Sequence, residues 1–472
     1  MRSKKKIYNI TILGSIFAII LQFIFILAGN GNLFIDVVCL LSYIALMLSI
    51  LRLDPRQLIK YFYFIFVSSW SVLAVFLMEN GTVTVAGDSA NHYGSFVLYN
   101  ISWLIFYLVI AYLEKKYGQR NPVYYTKVKE SGVEKTGAIR TMRLILIIAT
   151  AVELIAFLSI ITKPYFIFGV DRVAYANSGA MPSWLNGHVG FFSLMIPLAV
   201  CVLEDDKILP SIYMAIFVLL NIWIGEKFSG VFLGIYFFVF SYVGLYGFKI
   251  KTKTIKKIIY IVGVLLVVLV GLVYFQMTTI QGRAFGYYFK ERISANGYIW
   301  WLTYVNDSHK GFHLNELFDE LYPFVSKLSG KMSDYNFGIY KLMKLYYAPE
   351  RWRPMLEYGF RGAESTRATF YYYGKIPGLI FGQVILAFLT YFISSKCYKY
   401  LKQKNYIKII FGFYVMRNFI AAFSMSDFYL LLEIKVIIAY IILIFGDKLN
   451  FNFKLNVPKV RFGRRRTYQR KE

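Results

Sequence analysis

The sequence predicts an all-α polytopic membrane protein with about twelve transmembrane helices and one long external loop. Of its 472 residues, 58% are hydrophobic and only 17% are charged, and the mean hydropathy is +0.52. A soluble domain has about 45–50% apolar and about 25% charged residues, so this composition argues against a water-soluble enzyme, a disordered chain and a fibrous repeat. The apolar residues also stand in blocks of about 20, the length that an α-helix needs to cross a bilayer.

Twelve apolar blocks are read as transmembrane helices. The basic N-terminal residues Met1–Lys6 resemble the start of a signal peptide, but the apolar run behind them is too long and no small-residue cleavage site follows, so we expect a retained first helix. The approximate extents of the blocks are 8–28, 33–51, 58–78, 95–113, 144–162, 188–204, 208–224, 229–248, 258–276, 376–395, 406–424 and 428–446.

The charge pattern sets the expected orientation. The net charge is +27, from 53 Lys and Arg against 26 Asp and Glu. If the N-terminus lies inside and the blocks are counted as spans, about 35 of the 53 basic residues fall on the inner side, as the positive-inside rule requires. The charge therefore marks topology and not a nucleic-acid-binding surface, and we expect both termini in the cytoplasm. The expected division is a membrane domain (1–276), an external loop (277–375), a second membrane part (376–446) and a basic cytoplasmic tail (447–472).

The external loop of nearly 100 residues is rich in Tyr, Trp and Phe, so we expect it to be ordered. Leu314–Leu328 carries apolar residues at helical spacing, with a kink expected at Pro323, and Phe337–Tyr347 shows a similar pattern. We expect short amphipathic helices that rest on the outer membrane face. The alternative is a small packed cap without a ligand.

Ionisable side chains at membrane depth are functional candidates, because burying a charge is costly. The segment after the fifth block carries Asp171, Arg172 and Tyr175, and the turn between the seventh and eighth blocks carries Glu226 and Lys227. Arginine binds phosphate oxygens through paired hydrogen bonds, which suits a lipid pyrophosphate. The alternative for Glu226 and Lys227 is a local ion pair in a tight turn.

The start of the external loop and the eleventh block add further candidates. Arg283, Glu291 and Arg292 precede the paired aromatics Trp300–Trp301, and Arg417 lies within the eleventh block. Tyr and Trp rings stack on sugar faces, so these residues would suit an oligosaccharide. The alternatives are that the tryptophans anchor the chain at the membrane interface and that Arg417 pairs with nearby acids to hold helices together.

Three local patterns point to a family: DRVAY at 171–175, GEKFSG at 225–230 and ERISANGYIWW at 291–301. With these patterns and its overall architecture, the chain resembles Wzy-type oligosaccharide repeat-unit polymerases, the bacterial O-antigen and capsular polysaccharide polymerases. The resemblance implies a GT-C-like glycosyltransferase in the bacterial cytoplasmic membrane. It implies transfer of a growing glycan from undecaprenyl pyrophosphate to a new lipid-linked repeat unit outside, with inversion. The implied partners are that lipid-linked oligosaccharide, membrane lipid, a chain-length regulator and a flippase.

The resemblance also implies roles for individual residues. Arg172, Arg283 and Arg292 are expected to bind the pyrophosphate and stabilise its charge as the glycosidic bond breaks, with Lys227 as a weaker candidate. No phosphate-binding loop motif and no metal-ligand spacing occurs in the sequence, so we expect neither a cofactor nor a catalytic metal.

The catalytic base and the reaction class stay open at this point. Asp171, Glu226 and Glu291 are the candidate general bases, and a histidine is a further candidate. The related O-antigen ligases use a histidine in their long external loop, and His309 and His313 keep a ligase as an alternative. A flippase or transporter is the third alternative, although such proteins are expected to show internal repeats and polar residues at the midplane.

Overall fold

The protein is helical throughout the part that the structure describes. No strand occurs there, which confirms the all-α prediction. The computed structural model describes residues 2–29, 32–53, 59–81, 94–118, 132–167, 175, 178–179, 182–225, 229–247, 260, 263–264, 267–268, 270–280, 282, 284–323, 336–347, 349–350, 352–353 and 366–445.

Fifteen helices within these ranges carry the architecture. Two 3₁₀ helices are also used below: the cap 3₁₀ helix, Leu314–Leu321, and the linker 3₁₀ helix, Phe428–Leu432. The fifteen helices are α1 (Arg2–Leu27), α2 (Leu33–Leu53), α3 (Phe62–Glu79), α4 (Ser95–Leu113), α5 (Gly132–Ile160), α6 (Ser183–Val202), α7 (Ile208–Trp223), α8 (Ser229–Tyr246), α9 (Val270–Ile280), α10 (Phe285–Ser294), α11 (Tyr298–Asp307), α12 (Gly338–Tyr346), α13 (Thr366–Lys402), α14 (Tyr406–Met425) and α15 (Ile434–Phe445). All are α-helical except the second half of α9, Gln276–Ile280, which is a π-helix.

Six helices are long and apolar enough to cross a membrane. They are Asn9–Leu27, Phe62–Glu79, Ser95–Gly118, Ile139–Ile167, Thr366–Lys402 and Lys408–Met425. Six further apolar helices are shorter, at 10–17 residues: Leu33–Ser49, Gly190–Val202, Ile208–Trp223, Gly230–Tyr246, Val270–Ile280 and Ile434–Phe445. Each of these twelve helices overlaps one of the twelve predicted apolar blocks, so the blocks are helical where the structure describes them.

Helix α13 lies at the centre of the fold and consists of two parts. The parts meet at Lys375, whose φ of 49° and ψ of −143° are not helical. Pro377 follows two residues later, and a proline cannot donate the hydrogen bond of a continuous helix. The side chains of Arg367 and Gln383 are hydrogen-bonded at 3.1 Å, whereas a straight helix would separate these residues by roughly 24 Å. The first part of α13 therefore folds back on the second, and it begins ten residues before the predicted block 376–395.

Buried polar side chains join the central helices. Arg367 is fully buried, and its guanidinium carbon lies 3.2 Å from the centroid of the Trp103 ring and 5.3 Å from that of Phe423. This arrangement fastens the first part of α13 to α4 and α14. Similarly, the side-chain amide of Asn100 donates to the carbonyl of Cys39 at 2.9 Å, which ties α4 to α2.

The segment predicted to be the external loop forms a cap on one end of the helix bundle. We define the cap as residues 284–323, 336–347 and 366–374. Its helix α11 packs against α3, α4, α12 and α13, and the indole N–H of Trp300 donates to the carbonyl of Ser95 at the start of α4, 3.2 Å away. The backbone of Gly338 lies so close to the carbonyl of Ser426 that a Cβ there would stand 2.8 Å from its oxygen. The cap thus covers the helix ends that the predicted topology places outside.

Of the two helices predicted in the cap, one is confirmed and the other is partly wrong. The helix predicted at Phe337–Tyr347 is confirmed as α12, but its apolar residues Ile339 and Met343 are fully buried against the protein, so this face does not lie on a membrane surface. The predicted kinked α-helix Leu314–Leu328 is wrong over its first half, which is a 3₁₀ helix ending at Leu321; residues 324–328 lie outside the described residues. A 3₁₀ helix repeats every three residues, and that spacing matches the polar contacts described below.

Candidate functional site

Three stems meet on the cap side of the bundle, and we call their meeting point the junction. The stems are the end of α5 with the following turn to Ile167, the end of α7 with Gly225, and the end of α9. The indole N–H of Trp223 donates to the carbonyl of Ile161 at 3.1 Å. A small cavity between the stems is lined by Tyr165, Phe166, Ile222, Gly225, Leu272, Val273 and Gln276. The junction therefore joins segments that are far apart in the sequence.

The turn after α7 requires its glycine. Gly225 has a φ of +78°, a conformation that side chains rarely adopt, and the ring of Tyr165 lies where its Cβ would stand, 2.3 Å from the ring carbon Cδ1. The glycine of the GEKFSG pattern thus permits both the turn and the close approach of the stem after α5.

Tyr175, a predicted substrate-binding residue, is fully buried beside the junction. Its hydroxyl donates to the carbonyl of Lys163 at 2.6 Å, and its ring meets that of Tyr165 edge to face at 5.5 Å. Burial raises the pKa of this hydroxyl. In this conformation Tyr175 positions the segment after α5 and presents no exposed surface.

Most of the predicted charged residues follow the three stems in the sequence. Asp171, Arg172, Glu226, Lys227 and Arg283 lie outside the described residues. The described stems before them, however, meet in the junction: the stem ending at Ile167 precedes the first pair, Gly225 precedes the second, and α9, which ends at Ile280, lies three residues before the last. The structure thus brings together the stems of the segments that carry them.

Helix α10 continues from the third stem toward the cap. It packs against α3 and the end of α9, and the ring of Phe285 lies 5.3 Å from that of Tyr274. The backbone of Glu291 is part of this helix, although its side chain is not described. Arg292, in the last turn of α10, is exposed. It is the one predicted pyrophosphate-binding arginine whose side chain the structure describes.

The paired tryptophans are buried in the cap. Trp300 is fully buried, and its ring lies 5.2 Å from Tyr99 and 5.5 Å from Tyr371. Trp301 is 4% exposed and stacks with Tyr298 at 6.5 Å. In this conformation neither ring offers a face to a sugar or to lipid, and both hold α11 against its neighbours.

Arg417 stands apart, between α14 and α6. Its guanidinium lies directly against Gly190, where a Cβ would stand 1.7 Å from the nitrogen Nη2. Gly190 therefore makes the space that this half-buried arginine occupies, and Arg417 connects two helices of the membrane domain.

The cap contains a polar cluster that the sequence analysis did not identify. His313 places its Nε2 3.2 Å from Asp307 and its Nδ1 3.3 Å from Glu316, and its ring stacks on Tyr372 at 4.3 Å. The ammonium group of Lys375 is paired with the buried carboxylate of Asp307. The cluster therefore fixes the cap to the reversal in α13.

Lys341 and two further tyrosines extend the cluster. Lys341 contacts Glu316 at 2.5 Å and Asp319 at 2.8 Å, and Glu320 accepts hydrogen bonds from Tyr373 at 2.6 Å and from the backbone N–H of Gly338 at 2.7 Å. Burial raises the pKa of Glu320, although these hydrogen bonds oppose it. The sequence feature that would have shown the cluster is the three-residue spacing of its acids with His313.

Burial alone would raise the pKa of Glu316. Hydrogen bonds from Lys341 and Tyr372, with the charges of Lys341 and His313, outweigh burial, so the net shift is downward. The pKa of Glu316 is therefore lowered whereas the pKa of Glu320 is raised, although the two residues are only four positions apart. Among the side chains that the structure describes, no group of three or more His, Cys, Asp or Glu is arranged to hold a metal ion.

Comparison with known proteins gives one partial match. A family model described as "Family of unknown function (DUF6418)" matches residues 332–440, a stretch that includes α12, α13 and α14 and amounts to less than half of the chain. No curated protein and no solved structure matches the sequence. The chain is thus similar, from the cap into the last helices, to a family whose function is not known.

Proposed function

We propose that the protein is a polysaccharide polymerase, a membrane glycosyltransferase that extends a glycan carried on undecaprenyl pyrophosphate at the outer face of the bacterial cytoplasmic membrane. The observation that carries this proposal is the junction. A pyrophosphate site built from Arg172 and Arg283 needs two segments that are more than 100 residues apart in the sequence. The described stems of these two segments, together with Gly225 before Lys227, meet at one place.

The chemistry of the proposed reaction needs few protein groups. The C1–O bond between the donor glycan and the pyrophosphate breaks, and an acceptor hydroxyl of the new repeat unit forms the new bond to C1 from the opposite face. The hydroxyl proton passes to a carboxylate, with Asp171, Glu226 and Glu291 as candidates. Arg172 and Arg283 stabilise the charge that develops on the departing pyrophosphate. Neither a cofactor nor a metal is part of this scheme.

A buried donor group at the junction supports an oxygen-rich ligand. The side chain of Gln276 is 1% exposed and lines the cavity. Its Nε2 has no hydrogen-bond acceptor within the described residues, and an unpaired buried donor is costly. A phosphate or sugar oxygen is the type of group that it would bind.

We further propose that all twelve apolar helices cross the membrane in a GT-C-like arrangement, with both termini in the cytoplasm. The arrangement of the cap supports the order of the spans, because it packs on the end of α3, the start of α4 and the end of α14, three helix ends that this topology places on one side. Reporter fusions within 310–345 are expected to lie outside, and fusions at 125 and 465 inside. The opposite pattern would overturn the orientation.

A lipid-linked polysaccharide ligase is the second candidate function. The observation that favours it is His313 in the cap, whose two ring nitrogens each contact a carboxylate, Asp307 and Glu316. A catalytic histidine keeps one ring nitrogen on a carboxylate and turns the other toward the substrate, so the ligase function requires that the contact to either Asp307 or Glu316 opens when the acceptor binds.

Glycan analysis of a deletion strain separates the candidate functions. Single repeat units in place of a ladder of lengths are expected for a polymerase. Full-length polymer retained on its lipid carrier would indicate the ligase instead, and intermediates that stay in the inner leaflet would indicate a flippase.

Complementation of that strain tests the site. Arg172→Ala and Arg283→Ala are expected to abolish long polymer while the protein still inserts into the membrane. Arg353→Ala is the matched control, because Arg353 is an exposed arginine of the external segment that stacks on Trp352 at 5.7 Å. Normal polymer in both the Arg172→Ala and the Arg283→Ala variants would reject the proposed pyrophosphate site.

A further inference from the structure

The cap 3₁₀ helix and the residues beside it expose apolar side chains. Five apolar residues between 312 and 321 are each at least 42% exposed, and Phe318 among them is 77% exposed. None of these residues belongs to a candidate membrane span. We call this set the apolar patch: Phe312, Leu314, Leu317, Phe318 and Leu321.

The geometry of a 3₁₀ helix sorts this segment into three ridges, because side chains three residues apart eclipse one another. His313, Glu316 and Asp319 form the polar ridge, and all three contact the polar cluster of the cap. The second ridge contains the exposed Leu314 and Leu317 and then Glu320, which is buried in the cluster. The third ridge contains Phe312, Phe318 and Leu321 with the exposed Asn315 between them, so this ridge faces away from the cluster.

Several contacts prevent the patch from turning inward. Glu316 accepts a hydrogen bond from Tyr372 at 2.8 Å and contacts Lys341. The backbone N–H of His313 donates to the carbonyl of Tyr373 at 3.0 Å. Because rotation of the helix would break these contacts, the patch is held outward as a fixed surface.

The patch lies beside the ends of apolar helices. The cap 3₁₀ helix packs against α13 and against the linker 3₁₀ helix, which joins α14 to α15. The first residue of α15, Ile434, is 61% exposed, and Phe381 in the second part of α13 is 68% exposed. The patch therefore continues the apolar surface that these helices would present to lipid.

We propose that the apolar patch inserts into the lipid bilayer on the cap side, at the boundary between headgroups and acyl chains, and anchors the cap there. A short segment with one polar and one apolar face is typical of such interfacial contacts, and an exposed apolar surface of this kind marks an interaction site. The polar ridge keeps its hydrogen bonds within the protein, and insertion at the headgroup boundary lets the exposed amide of Asn315 hydrogen-bond to headgroups. This proposal is independent of the proposed function.

A site-directed spin label tests the proposal in the full-length protein. The native cysteines Cys39, Cys201 and Cys397 are all buried, so an added surface cysteine is labelled selectively. We would label Phe318→Cys, reconstitute the protein in phosphatidylcholine vesicles, and measure collision of the nitroxide with oxygen and with a water-soluble nickel chelate. His309→Cys is the matched control, because His309 is exposed in the cap but lies outside the patch.

The expected result is a label at residue 318 that collides with oxygen at least several-fold more readily, relative to the nickel chelate, than the label at residue 309. Equal access of the chelate to both labels would show that the patch lies in water and would overturn the proposal. Protection from both reagents would show that protein covers the patch, such as a second copy of the chain, and would also overturn it. Because this measurement reads no enzymatic activity, it stands or falls separately from the polymerase proposal.

Discussion

Substitution of Gly225 by alanine is expected to open the junction. The alanine would hold a φ of +78°, which costs a residue with a Cβ about 1–2 kcal/mol. Its Cβ would also stand 2.3 Å from the ring of Tyr165, and relief of such overpacking typically costs about 1–3 kcal/mol. The expected total is therefore about 2–5 kcal/mol, concentrated where the stems of α5 and α7 meet.

Gly247→Ala is the matched control for this prediction. Gly247 has a similar φ of +73°, but no atom lies within 4 Å of the position of its Cβ, so only the conformational cost of about 1–2 kcal/mol applies. The assay is the fraction of detergent-solubilised protein that stays monodisperse after heating, together with glycan length in complemented cells. Gly225→Ala is expected to lower the monodisperse fraction after heating and to shorten the glycan, whereas Gly247→Ala is expected to keep long polymer. Equal thermal stability of the two variants would refute the steric argument.

The same heating assay checks four further predictions. Lys375→Met is expected to cost about 3–5 kcal/mol because it removes the nearest cation from the buried Asp307 carboxylate and leaves it the ring of His313 and the ammonium group of Lys310, 3.8 Å away; adding Asp307→Asn should recover much of that loss. Glu316→Gln should remove a loss of stability on acidification, since the lowered pKa of Glu316 means that its stabilisation is lost as pH falls below about 4.5. Burial raises the pKa of Glu320, so the wild-type protein loses stability as pH rises above about 4.5. Glu320→Gln should remove that loss. Arg367→Lys should cost about 2 kcal/mol because an ammonium group does not stack as a guanidinium does; wild-type stability would contradict this assignment.

The sequence predicted the helices well because apolar length and composition decide helix formation in a membrane. It predicted the course of α13 less well. The block beginning at residue 376 matches the second part of that helix, but residues 366–374 are also helical and fold back at Lys375. That reversal depends on contacts between distant residues, such as Arg367 over Trp103, which no local pattern contains.

The candidate site was predictable only in part. The sequence identified three segments with charged residues, and the structure places the stems of these segments at one junction. Trp300 and Tyr175 were predicted as substrate-binding from their type, but each is fully buried, because an aromatic ring suits a protein core as well as a sugar. The sequence did not predict the cluster around His313, because its partners Asp307, Lys341 and Lys375 come from separate segments that no local pattern joins.

The tight packing of α4 against α13 has a consequence for biogenesis. Helix α4 is the most enclosed of the candidate spans, with 78% of its residues buried, and its principal neighbour α13 begins about 250 residues later in the chain. At about 5–20 residues per second of synthesis, α4 waits roughly 10–50 s for that neighbour. During this interval its polar face, including Asn100, Tyr107 and Ser95, depends on the earlier helices α1, α2 and α3. Assembly of the first helices is therefore the stage at which a membrane chaperone or a protease would act on this chain.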